Sequence, residues 1–155
     1  MKKLFLLLFS AIILCGATVQ IPKDATCFIR HVKVYEHPEW ASTIELESGK
    51  ILYFSSPKSM FEFYYETPRW PEFNIKEDKQ MSIYITDFET LEAIPAKEAY
   101  YVYGSSKTSL AGDDLPAFAR KKSAQAFAIK YGGKRVLEFN EVSHGLVNLL
   151  NGRYR

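Results

Sequence analysis

Soft-metal donors are scarce in this chain. Two cysteines, three methionines and three histidines among 155 residues leave few groups able to hold a late transition metal. Neither a Cys-x-x-Cys nor a His-x-x-x-His pair occurs, which argues against a structural zinc site with four N/S ligands. There is no glycine-rich phosphate loop, no dinucleotide fingerprint and no nucleophile signature around a cysteine, so the chain reads as a non-enzyme. An excess of one charge is missing too. Setting aside Lys2 and Lys3, which belong to a leader, 18 basic residues face 18 acidic ones. Without a basic stripe, nucleic acid is excluded as a partner.

The one long hydrophobic run stands at the start. Met1-Lys2-Lys3 is a short basic head, Leu4 to Leu14 is apolar apart from Ser10, and Cys15-Gly16-Ala17 supplies small residues for cleavage. Residues 1–17 therefore read as a secretory signal peptide, too short to span a bilayer, and the mature protein as exported and periplasmic. Cys15 offers a second reading, a lipoprotein anchor, against which stands Leu14 where a lipobox wants Gly, Ala or Ser. Only Cys27 then remains in the mature chain, and no intramolecular disulfide can form. An unpaired thiol in an oxidising compartment is either buried and inert or kept for ligation.

What is present is a patterned single domain. Residues 18–26 form a lead-in. Ser42-Thr43-Ile44-Glu45-Leu46-Glu47 alternates apolar and polar, Ser48-Gly49 breaks it, and Lys50 to Phe54 continues as a second strand, which predicts a hairpin. Ser56-Pro57 supplies an N-cap and first-turn proline for a helix to Glu66, with Met60, Phe61, Tyr64 and Tyr65 on one side. Met81 to Thr86 alternates again. Further strands are expected at Leu91 to Ile94 and Ala99 to Tyr103, and Gly104 to Gly112 reads as a loop. A helix follows over about 120–131, closed by Gly132-Gly133, then a strand at Arg135 to Phe139 and a short helix over about 143–150. The fold class is α+β: two ββαβ units, about 41–88 and 89–140, in one compact domain over 27–155.

Several stretches together carry a resemblance. They are His37-Pro38-Glu39-Trp40-Ala41, Pro57-Lys58-Ser59-Met60-Phe61-Glu62-Phe63-Tyr64, Thr86-Asp87-Phe88-Glu89-Thr90 and Ala99-Tyr100-Tyr101-Val102-Tyr103-Gly104-Ser105. In this order and spacing the chain, from about Cys27 to Glu141, resembles the NosL family, exported and often lipid-anchored accessory proteins of nitrous oxide reductase maturation. The resemblance implies Cu(I) binding, delivery to that reductase or its assembly proteins, and a fold similar in part to the organomercurial lyase MerB. The family's metal motif is Cys-x-x-Cys-Gly-Met, and here the six positions read Cys27-Phe28-Ile29-Arg30-His31-Val32. The family also carries Pro-Met-Gly in the loop after the second unit's strands, and here that loop reads Ser109-Leu110-Ala111-Gly112, with leucine in place of the methionine.

The candidate metal ligands are accordingly Cys27, Met60 and His31, for copper as Cu(I). Cu(I) prefers thiolate and thioether, with imidazole as an acceptable third donor. In an extended lead-in Cys27 and His31 would stand about 13 Å apart and share no ion; a loop brings them closer. Each has a bland reading: Cys27 as a buried small hydrophobe, His31 as a solvated surface residue, Met60 and Met81 as core. His37 reads as a turn residue, and His144 shows no partner. Arg30 opposes a cation beside Cys27 by its charge. The competing functional reading is a family relative without metal, an interaction module presenting aromatics such as Trp40, Trp70, Tyr100, Tyr101 and Tyr103.

Overall fold

The computed structural model describes residues 20–77, 80–112 and 114–153; the expected signal peptide lies outside the described residues. Among the described residues the fold is α+β, with two antiparallel sheets and three α-helices. The first sheet contains β1 (Ser42–Leu46), β2 (Ile51–Phe54), β3 (Met81–Thr86) and β4 (Ala93–Pro95), in the order β2-β1-β3-β4. The second contains β5 (Tyr100–Tyr103), β6 (Ala117–Phe118) and β7 (Arg135–Glu138), in the order β6-β5-β7. The helices are α1 (Pro57–Tyr65), α2 (Lys121–Tyr131) and α3 (His144–Leu150).

The β1–β2 hairpin follows from the alternation: Ile44 faces Leu52 in register, and Gly49 takes a φ of 79° at the turn. Helix α1 starts where its cap is written, with Ser56 Oγ accepting the Ser59 N–H at 3.1 Å and Pro57 in the first turn. Its surroundings are less one-sided than the apolar spacing implied. Every residue from Pro57 to Phe63 is buried, including Lys58 and Glu62. The reason is that α1 has neighbours on two sides. Phe61 meets Tyr101 and Phe139 at centroid distances of 5.1 and 5.0 Å. Phe63, on the other flank, meets Phe54 at 5.7 Å and Trp70 at 4.9 Å. Burying such a ring contributes on the order of 2 kcal/mol, so α1 fastens the two sheets together.

The expected strand at Leu91 to Ile94 does not open the second unit. It forms β4, shifted to Ala93–Pro95, and pairs with β3 through Ile85 and Ile94. The buried Asp87 turns the chain back. Its Oδ1 accepts the N–H groups of Glu89 and Thr90 at 2.8 and 3.2 Å, and Leu91 takes a φ of 63° to complete the reversal. Oδ2 of the same side chain accepts the Ala119 N–H at 2.8 Å, pinning the first sheet's last turn to the end of β6. The second unit instead runs β5-β6-α2-β7, and its two-residue β6 is too short to leave a periodic signal. Helix α2 packs Ala124 and Phe127 onto β5 and β6 and ends at Gly132, which takes a φ of 68°.

Candidate metal centre and its arginine cluster

The segment Cys27 to Val32 is a tight loop, not an extended lead-in. Cys27 N–H donates to Val32 O at 2.8 Å, His31 N–H to Cys27 O at 2.8 Å, and Thr26 and Lys33 form a bridge at its base. The loop is tied to the outer strand of the first sheet by Phe28 N–H donating to Tyr53 O at 2.8 Å. The Phe28 ring then enters an aromatic cage, 5.5 Å from both Phe63 and Trp70 and 5.7 Å from Phe73. With its backbone and its first ring held in this way, the loop has little freedom.

Inside it, the Cys27 thiol is fully buried, and Arg30 N–H points at Sγ at 3.3 Å. Met60 and Met81 are buried in the same core cluster as Cys27. His31 differs: its side chain is exposed, and its φ is 57°. The loop therefore brings His31 close to Cys27 along the backbone while turning the ring toward solvent. Among the described residues, no three His, Cys, Asp or Glu side chains gather as a metal cage.

The charge on Arg30 has a partner that sequence reasoning missed. Its guanidinium donates to Glu62 Oε2 at 2.8 Å and to Asn151 Oδ1 at 2.9 Å. Glu62, only 2% exposed, also accepts from Asn151 Nδ2 at 3.0 Å and from Arg153 Nη2 at 2.8 Å, with Arg69 3.6 Å away. One turn on, Glu66 accepts from Arg69 and, at 2.8 Å, from Arg153, with His144 Nε2 at 3.6 Å. Burial works to raise the Glu66 carboxyl, but the Arg69 hydrogen bond and the charges of Arg153 and Arg69 outweigh it and hold the carboxyl below its usual range. His144, unpartnered in the sequence reading, also stacks on Tyr65 at 5.4 Å. The signal that was available is Glu62 itself, one acid inside the run Met60-Phe61-Glu62-Phe63-Tyr64-Tyr65, where an unpaired charge would not be tolerated.

Cys27, Arg30, His31, Glu62, Arg69 and Arg153 line one pocket of about 650 Å³. Cys27 forms part of its wall while fully buried in the core, and the three arginines come from the loop, the turn after α1 and the segment after α3.

The family model for NosL matches residues 18–147. The chain belongs to the NosL family. A curated relative, the copper-binding lipoprotein NosL of Stutzerimonas stutzeri, is 43% identical over 54 residues. That match takes in 35% of this chain and spans 28% of the relative's length. The crystal structure of the copper chaperone NosL from Shewanella denitrificans superposes with a TM-score of 0.67 at 24% identity, covering 84% of this chain and 98% of that one. At that identity the likeness shows a shared NosL fold. Within it, the Cys27 loop of this NosL-family chain carries Arg30 and, in the left-handed region at a φ of 57°, His31.

Proposed function

We propose that this chain is an exported, non-catalytic copper-handling protein that carries Cu(I) as cargo through Cys27, for maturation of a metalloenzyme of the nitrous oxide reductase kind. The observation that supports it most is the Cys27 loop. A family framework that matches nearly the whole domain keeps its first cysteine in a closed turn, with a backbone N–H fixing the direction of the sulfur. The donor type that suits a soft ion with that thiolate is a thioether, and Met60 and Met81 belong to the main core in which Cys27 is also buried. His31 joins only by rotating inward from its exposed position. Because the thiol is fully buried, loading requires the loop to open; two Cys27 thiolates shared across a dimer would require the same movement.

A specific observation favours a second reading. The Arg30–Glu62 pair puts a hydrogen-bonded guanidinium where a second thiolate would stand, as expected of a relative that has given up its metal and works as an interaction module in the periplasm. An anaerobic Cu(I) competition titration on protein beginning at Thr18 separates the two, with Cys27→Ser alongside. Tight binding that is lost in the variant supports the copper carrier. Absence of binding in both proteins rules it out and leaves the module.

A further inference from the structure

A groove of about 570 Å³ opens along α2 and shares no lining residue with the pocket at Cys27. Its floor is aromatic. Phe127 stands 5.1 Å from both Phe88 and Phe118 and 4.5 Å from Tyr131, centroid to centroid. Its rim is cationic, formed by Arg120, Lys122 and Lys130. The acid in the lining, Glu89, is already engaged by Arg120 at 2.9 Å and by Ser123 at 2.7 Å. Helix α2 itself contains three lysines and no Asp or Glu. Two of them, Lys122 and Lys130, line the groove, while Lys121 reaches Glu138 at 3.9 Å outside its lining. Ile129, 86% exposed, stands one turn from Ala126 on the groove wall and extends the apolar surface outward.

An open aromatic cleft wants apolar atoms in it, and a cationic rim selects what accompanies them. A small anion alone would meet the rim and leave the floor wet. A flat bilayer surface would meet the rim and not reach the rings below it. We propose that this groove docks a segment of a partner protein bearing carboxylates on either side of an aliphatic or aromatic anchor. The anchor covers Phe88 and Tyr131, the half-buried rings of the lining, above the buried Phe118 and Phe127, and the carboxylates meet Lys122 and Lys130. The site is independent of Cys27 and of the metal reading.

The test is selection of a displayed random 12-residue peptide library on the full mature protein, followed by affinity measurement on the enriched peptides. The expected result is enrichment of sequences with Asp or Glu flanking Leu, Ile, Phe or Trp. Their affinity should fall at least tenfold in Lys122→Glu/Lys130→Glu and in Ala126→Arg, and stay unchanged in Cys27→Ser. The three altered α2 positions are exposed, so thermal melts should coincide with the parent. No enrichment, or enrichment of peptides without that pattern, overturns the proposal. So does affinity that survives the α2 substitutions. Binding to phosphatidylglycerol vesicles with the same dependence on Lys122 and Lys130, in place of peptide, overturns it in favour of a membrane surface.

Discussion

The guanidinium of Arg30 reaches Glu62 at 2.8 Å across 32 residues of sequence, while the backbone N–H of the same arginine points at the Cys27 sulfur. One residue thus joins the soft donor of the loop to the buried acid of the central helix. The sequence alone makes Arg30 a charge that repels metal. The structure makes it a side chain hydrogen-bonded to Glu62 and Asn151, with Glu62 shared among Arg30, Arg153 and Arg69. At Cys27 it therefore acts by the space it fills as well as by its charge.

Removing the acid should expose that dependence. Glu62→Ala leaves Arg30 and Arg153 gathered without their shared counter-charge and deletes a buried carboxylate that both of them hydrogen-bond. Because the arginines left behind still reach solvent, the loss is that of hydrogen bonds to a charged group, about 1.5–3 kcal/mol. Urea unfolding at neutral pH should show the loss as a lowered midpoint, and a loss below about 1 kcal/mol, the worth of a surface pair, would mean that the cluster is peripheral.

Arg30→Cys tests which feature limits copper affinity. It places a second thiol three residues after Cys27, on a loop that is already turned, and it also deletes the guanidinium. The expected outcome is a Cu(I) dissociation constant at least tenfold lower, about 1.4 kcal/mol, with a loss of stability from the broken ion pair. Arg30→Ala is the control in an anaerobic competition assay. Equal tightening in both variants would make the guanidinium a plug, whereas tightening in Arg30→Cys alone would make the missing thiolate decisive.

Features encoded by neighbours in sequence were legible beforehand. Ser56-Pro57 named the start of α1, Ser48-Gly49 the first hairpin, and Gly132 the end of α2, because caps and turns are decided within a few residues. Features decided at long range were not. Ala93–Pro95 has the composition of a strand, yet which sheet it joins depends on the turn made by Asp87 and on that side chain's hold on Ala119, 32 residues away. Likewise nothing within α1 shows that the arginines of three separate segments close on Glu62 and Glu66. Cys27 could be singled out by being alone, but its burial and the outward ring of His31 depend on how the loop folds back.

His31 holds a φ of 57°, a left-handed conformation that costs a side-chain-bearing residue more than it costs glycine. Its side chain is exposed and no packing is lost on removing it. His31→Gly is therefore expected to stabilise the protein by about 0.5–1 kcal/mol, the relief of strain being partly offset by glycine's greater freedom when unfolded. Thermal unfolding measures the gain. The same variant speaks to ligation: an unchanged Cu(I) affinity would remove His31 from the donor set, and a weaker one would show that the ring turns inward when metal arrives.

Acid should loosen the α1–α3 seam through Glu66. Its carboxyl is depressed in the folded state by Arg69 and Arg153 despite partial burial. A carboxyl depressed on folding binds protons more readily in the unfolded chain. Its stabilisation is therefore full above the unfolded value of about 4.5 and drains away as pH falls through the folded one. Stability should thus hold level from neutrality down to about pH 5 and then decline. Glu66→Gln should be less stable than the parent at pH 7, with the two unfolding midpoints converging in acid. Curves that stay parallel down to low pH would show that the arginines hold Glu66 no more tightly than solvent does.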